Sequence, residues 1–179
     1  VTPNHLHFKV AKKFLSAGIH VICDKPITMN SDEARELIEL AERARLILAV
    51  TYNYSGYPMV RQAKEMVQSG ELGELRVINT HYTQDWLTEP LENSGHKQAN
   101  WRVDPEKSGI GGCIGDIGTH AYHLSTFITQ LRAQTLCADL SSFVKGRRLD
   151  DNAHVMIRYD NNVKGMIWAS QVAPGNGNN

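Results

Sequence analysis

The sequence carries no excess charge of either sign and no long apolar run. Nineteen Lys and Arg residues balance nineteen Asp and Glu residues, so the formal net charge is zero. A balanced chain lacks the basic face that phosphate-led nucleic-acid binding needs, and it has no electrostatic attraction to an anionic membrane. The strongest apolar run, Leu46 to Val50, is far shorter than the roughly 20 residues that span a bilayer. We therefore expect neither nucleic acid nor a membrane as a partner.

Cysteine is also scarce. Cys23, Cys113 and Cys137 are too few and too scattered for a disulfide framework or a CxxC metal site. The first residues show no basic segment followed by an apolar one, which is the pattern of a secretory signal. These observations predict buried thiols, a reducing compartment and a cytoplasmic location.

Apolar residues make up 41% of the 179 residues, which is enough for a buried core. The first fifty residues alternate between helical and strand-like patterns. The expected elements are a helix that starts near residue 8 and stops before Gly18, a strand at 20–23, a helix capped by Asn30 with Glu33, and a strand at 46–50. This alternation predicts an α/β fold in which residues 1–51 are the back half of a doubly wound parallel sheet.

The pattern changes after Thr51, and residues 52–179 read as a second domain of α+β type with a mixed or mostly antiparallel sheet. The expected elements are a helix at 58–68, a strand at 75–86, a functional loop at 87–115, a helix at 117–131, and strands at 135–144, 153–159 and 163–171. Asp160-Asn161-Asn162 is a turn between the last two strands, because Asn and Asp tolerate left-handed geometry.

Both ends of the sequence resemble the middle of a longer one. The chain starts at Val1 without an initiator Met, and it ends in the turn-rich segment 174–179. These features predict a fragment truncated at both ends.

Asp24-Lys25-Pro26 follows the first predicted strand directly. Ligands of doubly wound sheets bind beyond the carboxyl ends of the strands, and a lysine there can donate a hydrogen bond to a substrate hydroxyl. The alternative is an ordinary surface lysine in a polar loop. The position after the strand, with a proline that restricts the turn, favours a functional role.

Asp116, His120 and His123 share one face of a predicted helix, since their spacings are four and three residues. In one interpretation His120 is a general base that Asp116 orients and supports. In a second, all three residues bind a metal ion. In a third, Asp116 only complements the helix dipole and the histidines pack on the sheet.

Two further clusters are weaker on their own. Trp101-Arg102 lies in the predicted functional loop, where an aromatic face beside a guanidinium suits a polyhydroxylated ligand. Thr2-Pro3-Asn4 and His7 open the first helix, where backbone amides and polar side chains can meet a ribose. Asn4 also fits the simpler role of a helix cap.

Taken together, the ordered segments TPNHLH, HVICDKP, EARELIELAE, WRVDP and GGCIGDIGTHAYHL resemble the Gfo/Idh/MocA oxidoreductases. The resemblance spans nearly the whole chain, and its most specific elements are the Lys-Pro turn and the D-x-x-x-H helix. It implies an N-terminal Rossmann domain that binds NAD or NADP, and a C-terminal α/β domain whose open sheet forms a homo-oligomer interface. Members oxidise or reduce a hydroxyl or carbonyl of a sugar, cyclitol or related small molecule.

The resemblance also implies residue roles. Lys25 would contact the reacting hydroxyl, His120 would exchange its proton, and Asp116 would support His120, all without a metal ion. The implied cofactor-binding residues are Thr2, Pro3, Asn4, His7, Asp24 and Asn53. The implied substrate-binding residues are Tyr82, Trp101, Arg102 and His123.

The chain departs from the family pattern at several positions. Asp24 stands where the family usually has Glu, Asn53-Tyr54 where many members have Arg-Phe, and His123 where many have Asp. The glycine-rich phosphate loop would precede Val1. The cluster at residues 109–112 follows no predicted strand and cannot serve as that loop.

The leading hypothesis is thus a nicotinamide-dependent sugar or polyol dehydrogenase. One alternative is a metal-dependent isomerase or hydrolase built on Asp116, His120 and His123. Another is a non-catalytic domain whose sheet only assembles subunits.

Overall fold

The computed structural model describes residues 2–175 and 177. Its helices are α1 (His7–Ser16), α2 (Ser31–Ala44), α3 (Pro58–Gln68), α4 (Lys97–Arg102), α5 (Pro105–Ser108) and α6 (Thr119–Thr129). Its strands are β1 (Val21–Cys23), β2 (Leu48–Val50), β3 (Val77–Thr83), β4 (Ala133–Ser141), β5 (Asn152–Tyr159) and β6 (Lys164–Ser170). Val1 and three of the last four residues, which belong to the predicted truncated ends, lie outside the described residues. No described helix is both long and apolar enough to cross a membrane.

Strands β1 and β2 pair in parallel, with Val21 opposite Leu48, and helices α1 and α2 pack against them. The core of this unit contains Leu15 and Leu37, which are completely or almost completely buried. Helix α2 begins where the sequence predicts, because the side chain of Asn30 accepts a hydrogen bond from the backbone N–H of Glu33. This unit confirms the parallel α/β arrangement expected of the N-terminal segment.

The second sheet has four strands in the order β3-β6-β5-β4. Strand β3 runs parallel to β6, and the other two pairs are antiparallel. The prediction of a mostly antiparallel sheet is therefore confirmed. Asn161 and Asn162 both adopt positive φ in the turn between β5 and β6, as their residue types predict.

Helix α6 and the π-helical turn Ile114–Gly118 before it cover one face of the four-stranded sheet. Ile157 and Ile167 are buried beneath them. On the opposite face Met156 pairs with Met166, and their exposed fractions are 56% and 40%. One face of the sheet is therefore covered and the other is open.

Three details of the sequence analysis are wrong. The segment 87–115, predicted as a functional loop, contains the helices α4 and α5 and a 3-10 turn at Leu91–Ser94. Its helices are short, and their N-caps are His96 and Asp104, whose side chains accept hydrogen bonds from backbone N–H groups. Strand β3 ends at Thr83 rather than near residue 86. Cys137 is exposed, because it lies on β4 at the edge of the sheet, whereas Cys23 and Cys113 are buried as predicted.

Candidate functional site

The Lys25-Pro26 turn follows β1 directly and is held from two sides. The Asp24 carboxylate accepts hydrogen bonds from the Lys25 backbone N–H at 2.8 Å and from the Thr51 hydroxyl at 2.9 Å. On the other side, His7 Nδ1 lies 2.7 Å from the carbonyl oxygen of Pro26. These contacts fix Lys25 at the carboxyl ends of the two parallel strands.

Asp116 is the centre of a cluster that we call the Asp116 cluster, consisting of Asp116, Lys25, Arg102 and Gln171. Lys25 Nζ donates to one Asp116 carboxylate oxygen at 2.8 Å and to the Asp116 backbone oxygen at 2.5 Å. The other carboxylate oxygen accepts from Arg102 Nε at 3.1 Å and from Gln171 Nε2 at 2.9 Å. The cluster thus joins the turn after β1, helix α4, the π-helical turn and the residue after β6.

The Asp116 carboxyl stays ionised in this setting. Only 16% of its side chain is exposed. Burial by itself raises the pKa of Asp116, but the charges of Lys25 and Arg102 and their hydrogen bonds outweigh it and lower the pKa below its ordinary value. Asp116 is therefore a fixed anion between two cations.

His120 lies one turn further along and is 7% exposed. The centroids of the Tyr54, Tyr52 and Tyr82 rings lie 4.8, 5.7 and 6.2 Å from the centroid of its ring. Burial and the nearby Lys25 charge lower the pKa of His120 to about 4, although Asp116 acts in the opposite direction. The imidazole is thus neutral at pH 7 and can accept a proton from a hydroxyl.

The predicted support of His120 by Asp116 takes a different form from a hydrogen bond. Both carboxylate oxygens of Asp116 bind Lys25, Arg102 and Gln171, so Asp116 acts on His120 through its charge. The intervening turn is π-helical, which changes the four-residue spacing of a regular α-helix.

His123 is part of an aromatic stack. Its ring lies 4.2 Å from the Tyr52 ring at an interplanar angle of 11°, and 5.8 Å from the Phe127 ring. Within residues 2–175 and 177, no group of three His, Cys, Asp or Glu residues could hold a metal ion. The alternative of a metal site built from Asp116, His120 and His123 therefore has no geometric support.

A polar cavity of about 440 Å³ opens beside the Asp116 cluster. It is lined by Gln84, Trp86, His96, Gln98, Arg102, Asp116 and Gly177. Of the predicted substrate residues, Arg102 lines this cavity, and Trp101 supports Arg102, since the guanidinium lies 4.2 Å from the Trp101 ring centroid. Tyr82 lies behind His120, with its hydroxyl 2.7 Å from that of Tyr54.

Sequence reasoning missed Gln84, His96 and Gln98. Gln98 precedes Arg102 by one helical turn, and its backbone oxygen and side-chain oxygen both accept hydrogen bonds from the guanidinium. Recognition of helix α4 would have revealed this pairing. For Gln84 and His96 the sequence around them holds no comparable signal.

Of the six residues predicted on the cofactor side, three line a cavity beside β1 and three do not. Thr2, His7 and Asp24 line a second cavity of about 370 Å³ beside β1. Pro3 directly precedes Asn4 and caps the 3-10 turn Asn4–Leu6. Asn4 is buried and donates a hydrogen bond to the backbone oxygen of Ser108 at 2.8 Å, which ties the chain start to α5. Asn53 opens the 3-10 turn Asn53–Gly56 after β2.

Comparisons with known proteins agree with this architecture. Residues 1–52 match the family model described as an oxidoreductase family with an NAD-binding Rossmann fold, and residues 60–179 match the GFO/IDH/MocA C-terminal domain. The chain is 38% identical over 176 residues to the uncharacterized oxidoreductase YfiI of Bacillus subtilis, which covers 97% of this chain and 45% of that protein. It is 29% identical to the levoglucosan dehydrogenase of Pseudarthrobacter phenanthrenivorans, with 99% of this chain and 50% of that protein covered.

Solved structures of an inositol dehydrogenase homolog from Azotobacter vinelandii are also similar. The complex with NAD⁺ has a TM-score of 0.96 at 36% identity, and the complex with NADH and myo-inositol has a TM-score of 0.90 at 34% identity. Each alignment covers 99% of this chain, and 46% and 45% of the solved chains respectively. The chain thus spans about half the length of the relatives it matches. The resemblance predicted from the motifs is confirmed, and the chain belongs to the Gfo/Idh/MocA oxidoreductase family.

Proposed function

We propose that the whole protein is an NAD(P)-dependent oxidoreductase that transfers a hydride between the nicotinamide and a hydroxyl or carbonyl group of a sugar, cyclitol or related polyol. The observation that carries the proposal is the pairing of Lys25 with Asp116 beside the neutral imidazole of His120. It puts a hydrogen-bond donor and a proton acceptor at the carboxyl ends of the parallel strands, where doubly wound sheets bind their ligands.

The described residues fit a nicotinamide cofactor at this edge. The cavity beside β1 has an apolar wall that includes Val10 and Phe14, and a polar end formed by Thr2, His7 and Asp24. Asp24 has a carboxylate that can accept hydrogen bonds from ribose hydroxyls. When bound, the nicotinamide supplies the hydride acceptor for oxidation or the hydride donor for reduction. We assign Thr2, Pro3, Asn4, His7, Asp24 and Asn53 to the cofactor side.

The roles of the chain's own residues follow from their contacts. The Lys25 ammonium has three N–H donors, and two of them bind Asp116. The third can donate to the oxygen of the reacting hydroxyl. His120 accepts the hydroxyl proton during oxidation and returns it during reduction. Asp116 is a positioning residue, because it fixes the Lys25 ammonium and stabilises the imidazolium of His120 by its charge.

The polar cavity suits the remainder of a polyol. Arg102 lines the cavity and has N–H donors, and its guanidinium packs on the Trp101 ring. Tyr82 lies beside the His120 ring, and His123 stacks on Tyr52, which also contacts His120. Neither Tyr82 nor His123 is among the residues that line the cavity. We assign Arg102 to direct substrate contact, and Trp101, Tyr82 and His123 to the surrounding shell of the substrate site.

Three wider proposals accompany this function. Residues 1–51 would be the C-terminal part of the dinucleotide-binding domain, and residues 52–179 part of the substrate and oligomerisation domain. The open face of the sheet would join copies of the chain, because Met156, Met166 and the ring pair of Trp168 with His154 are presented there. Sedimentation of the native protein tests the homo-oligomer. The cytoplasmic location stays a prediction.

The experiment is an assay of the native full-length protein with NAD⁺ and NADP⁺, with polyols as substrates and absorbance at 340 nm as the readout. Wild-type protein should reduce one of the nucleotides. Lys25→Ala and His120→Ala should lose turnover by a factor on the order of 10²–10⁴, the usual contribution of a positioned acid or base. Cofactor affinity, measured by fluorescence titration with NADH, should stay within about threefold, because neither side chain lines the cavity beside β1.

Lys12→Ala is the matched control. Lys12 also pairs with a carboxylate, Glu36, but on the exposed surface between α1 and α2. This variant should keep wild-type turnover. Full activity in Lys25→Ala or His120→Ala would refute the assigned roles, and failure of the wild-type protein to bind either nucleotide would refute the proposed function.

A further inference from the structure

The charges around the polar cavity indicate which substrates the site accepts. One cation and one carboxylate line it, Arg102 and Asp116, and they bind each other. Asp116 also binds Lys25, which is not among the lining residues. One cation thus stands against one carboxylate, so the charges that line the cavity cancel.

Among the described residues, the rest of the cavity wall holds no Lys, Arg, Asp or Glu. Gln84 and Gln98 contribute amides, and Trp86 contributes an indole. His96 Nδ1 accepts a hydrogen bond from the backbone N–H of Ala99 at 3.2 Å. Amides, indole and imidazole carry both donors and acceptors, which is the chemistry that recognises hydroxyl groups.

The other cations near this region, within the part of the chain that the structure describes, lie outside the cavity lining. Lys97, the first residue of α4, is one of them. Arg147 is 2% exposed and binds Glu92 and Asp151. Arg148 pairs with Asp104, as does Lys107. Lys145 borders a different and smaller cavity of about 150 Å³. None of these groups is among the residues that line the polar cavity.

We infer that the substrate is an uncharged polyhydroxyl compound, and that the site selects against phosphorylated and carboxylated analogues. This inference rests on the proposed function and narrows its substrate class. An anionic group in the cavity would meet the buried Asp116 carboxylate. It would also have to compete with that carboxylate for Lys25 and Arg102. A phosphate carries close to two negative charges at pH 7. Asp116 therefore repels a phosphorylated analogue more strongly than a carboxylated one.

The test compares sugars that differ only in charge. Glucose, glucuronate and glucose 6-phosphate share one ring and differ at the sixth carbon, and myo-inositol with its monophosphate forms a second series. The native full-length protein is assayed with each compound and its preferred nucleotide, and kcat/KM is measured at 340 nm. In at least one series we expect kcat/KM for the neutral member to exceed that for each anion by roughly tenfold or more, since close unit charges interact strongly in a partly buried site.

A pair of Gln98 variants separates the effect of an added positive charge from the effect of losing the hydrogen bond to Arg102. Gln98→Lys and Gln98→Met both remove the oxygen that accepts from Arg102, but only the first adds a cation to the wall. Gln98→Lys should shift the ratio of kcat/KM for glucose 6-phosphate to that for glucose by roughly tenfold toward the phosphate. Gln98→Met should leave the ratio within about threefold of wild type.

The outcomes separate this inference from the proposed function. If kcat/KM for an anion equals that for its neutral counterpart, the oxidoreductase activity still stands, but the inferred substrate class is wrong. A ratio that shifts equally in both Gln98 variants would also overturn it. If no compound of either series supports nucleotide reduction, both the proposed function and the substrate class are overturned.

Discussion

Replacement of Asp116 by Asn removes one buried negative charge and keeps the shape of the side chain. In the wild-type protein this charge stands between Lys25 and Arg102, whose side chains are 15% and 23% exposed. Asp116→Asn leaves both cations without that partner. The Lys25 bond to the backbone oxygen of residue 116 remains, and the amide oxygen of Asn can still accept, so the substitution removes mainly the charge.

The size of the effect follows from the burial of the three groups. Breaking a buried ion pair by removing one partner costs about 3–5 kcal/mol. Because each of these side chains keeps some exposure to water, we expect a loss near the lower end, about 3 kcal/mol in the free energy of unfolding. Turnover should fall on the order of 10²-fold, since a small displacement of a catalytic group has an effect of that size.

The pH dependence provides an internal check. Lys25 and Arg102 hold the pKa of Asp116 below its ordinary value. The stabilisation by this carboxylate is therefore fully present above the ordinary pKa of about 4, and it is lost as the pH falls through the lower folded-state pKa. The stability difference between wild type and Asp116→Asn should accordingly be constant from pH 5 to 7 and shrink below pH 4.

The assay is urea unfolding of the native protein and of each variant, followed by circular dichroism. Asp32→Asn is the matched control, because Asp32 pairs with Arg35 on the exposed surface of α2. Exposed pairs contribute less than about 1 kcal/mol. The reasoning would be refuted if Asp116→Asn cost no more than Asp32→Asn and kept wild-type turnover.

Two further predictions concern the same region. The kcat/KM for alcohol oxidation should stay level as the pH falls from 7 to 5 and then decline with a midpoint near 4. The reason is that burial and the Lys25 charge lower the pKa of His120 to about 4. A pH–rate profile with a midpoint near 6.5 would contradict this prediction. Gly112→Ala should destabilise the protein by about 1–3 kcal/mol or more, since the new Cβ would lie 2.0 Å from the Asp150 carbonyl oxygen. Gly115→Ala, whose Cβ meets nothing within 4 Å, should be nearly neutral, and thermal unfolding of both variants measures the difference.

The regular helices were predictable because their signals are local. Asn30 and Glu33 mark the start of α2, and Pro58 marks the start of α3 at its first turn. Each signal lies within a few residues of the boundary it defines. The turn at Asn161 and Asn162 was predictable for the same reason, since the residue types themselves favour left-handed backbone.

The segment 87–115 was not predictable from local pattern. Its 3-10 turn is stabilised by a residue distant in sequence. The Arg147 guanidinium binds the carboxylate of Glu92, which lies 55 residues earlier in the chain. Helices of four and six residues are also too short to show a repeating apolar face. Tertiary contacts therefore determine the structure here.

The structure brings Lys25, Asp116 and His120 close together, but the bonds among them were not predictable from the sequence. The family resemblance selected Lys25, Asp116 and His120, yet the helical spacing suggested that Asp116 would bind His120. The π-helical turn changes that spacing, and the carboxylate binds Lys25, which is 91 residues away in sequence. Neither the π-helical turn nor a contact over that separation is visible in the periodicity of one sequence.

The central claim is hydride transfer at the site formed by Lys25 and His120, and a label-transfer experiment tests it most directly. A neutral polyol that the native protein oxidises is prepared with deuterium on the reacting carbon, and the reduced nucleotide is examined by NMR. The account predicts one deuterium at C4 of the nicotinamide for each product formed, and loss of both label transfer and product in His120→Ala. Product formation without label at C4, or undiminished transfer in His120→Ala, would contradict it.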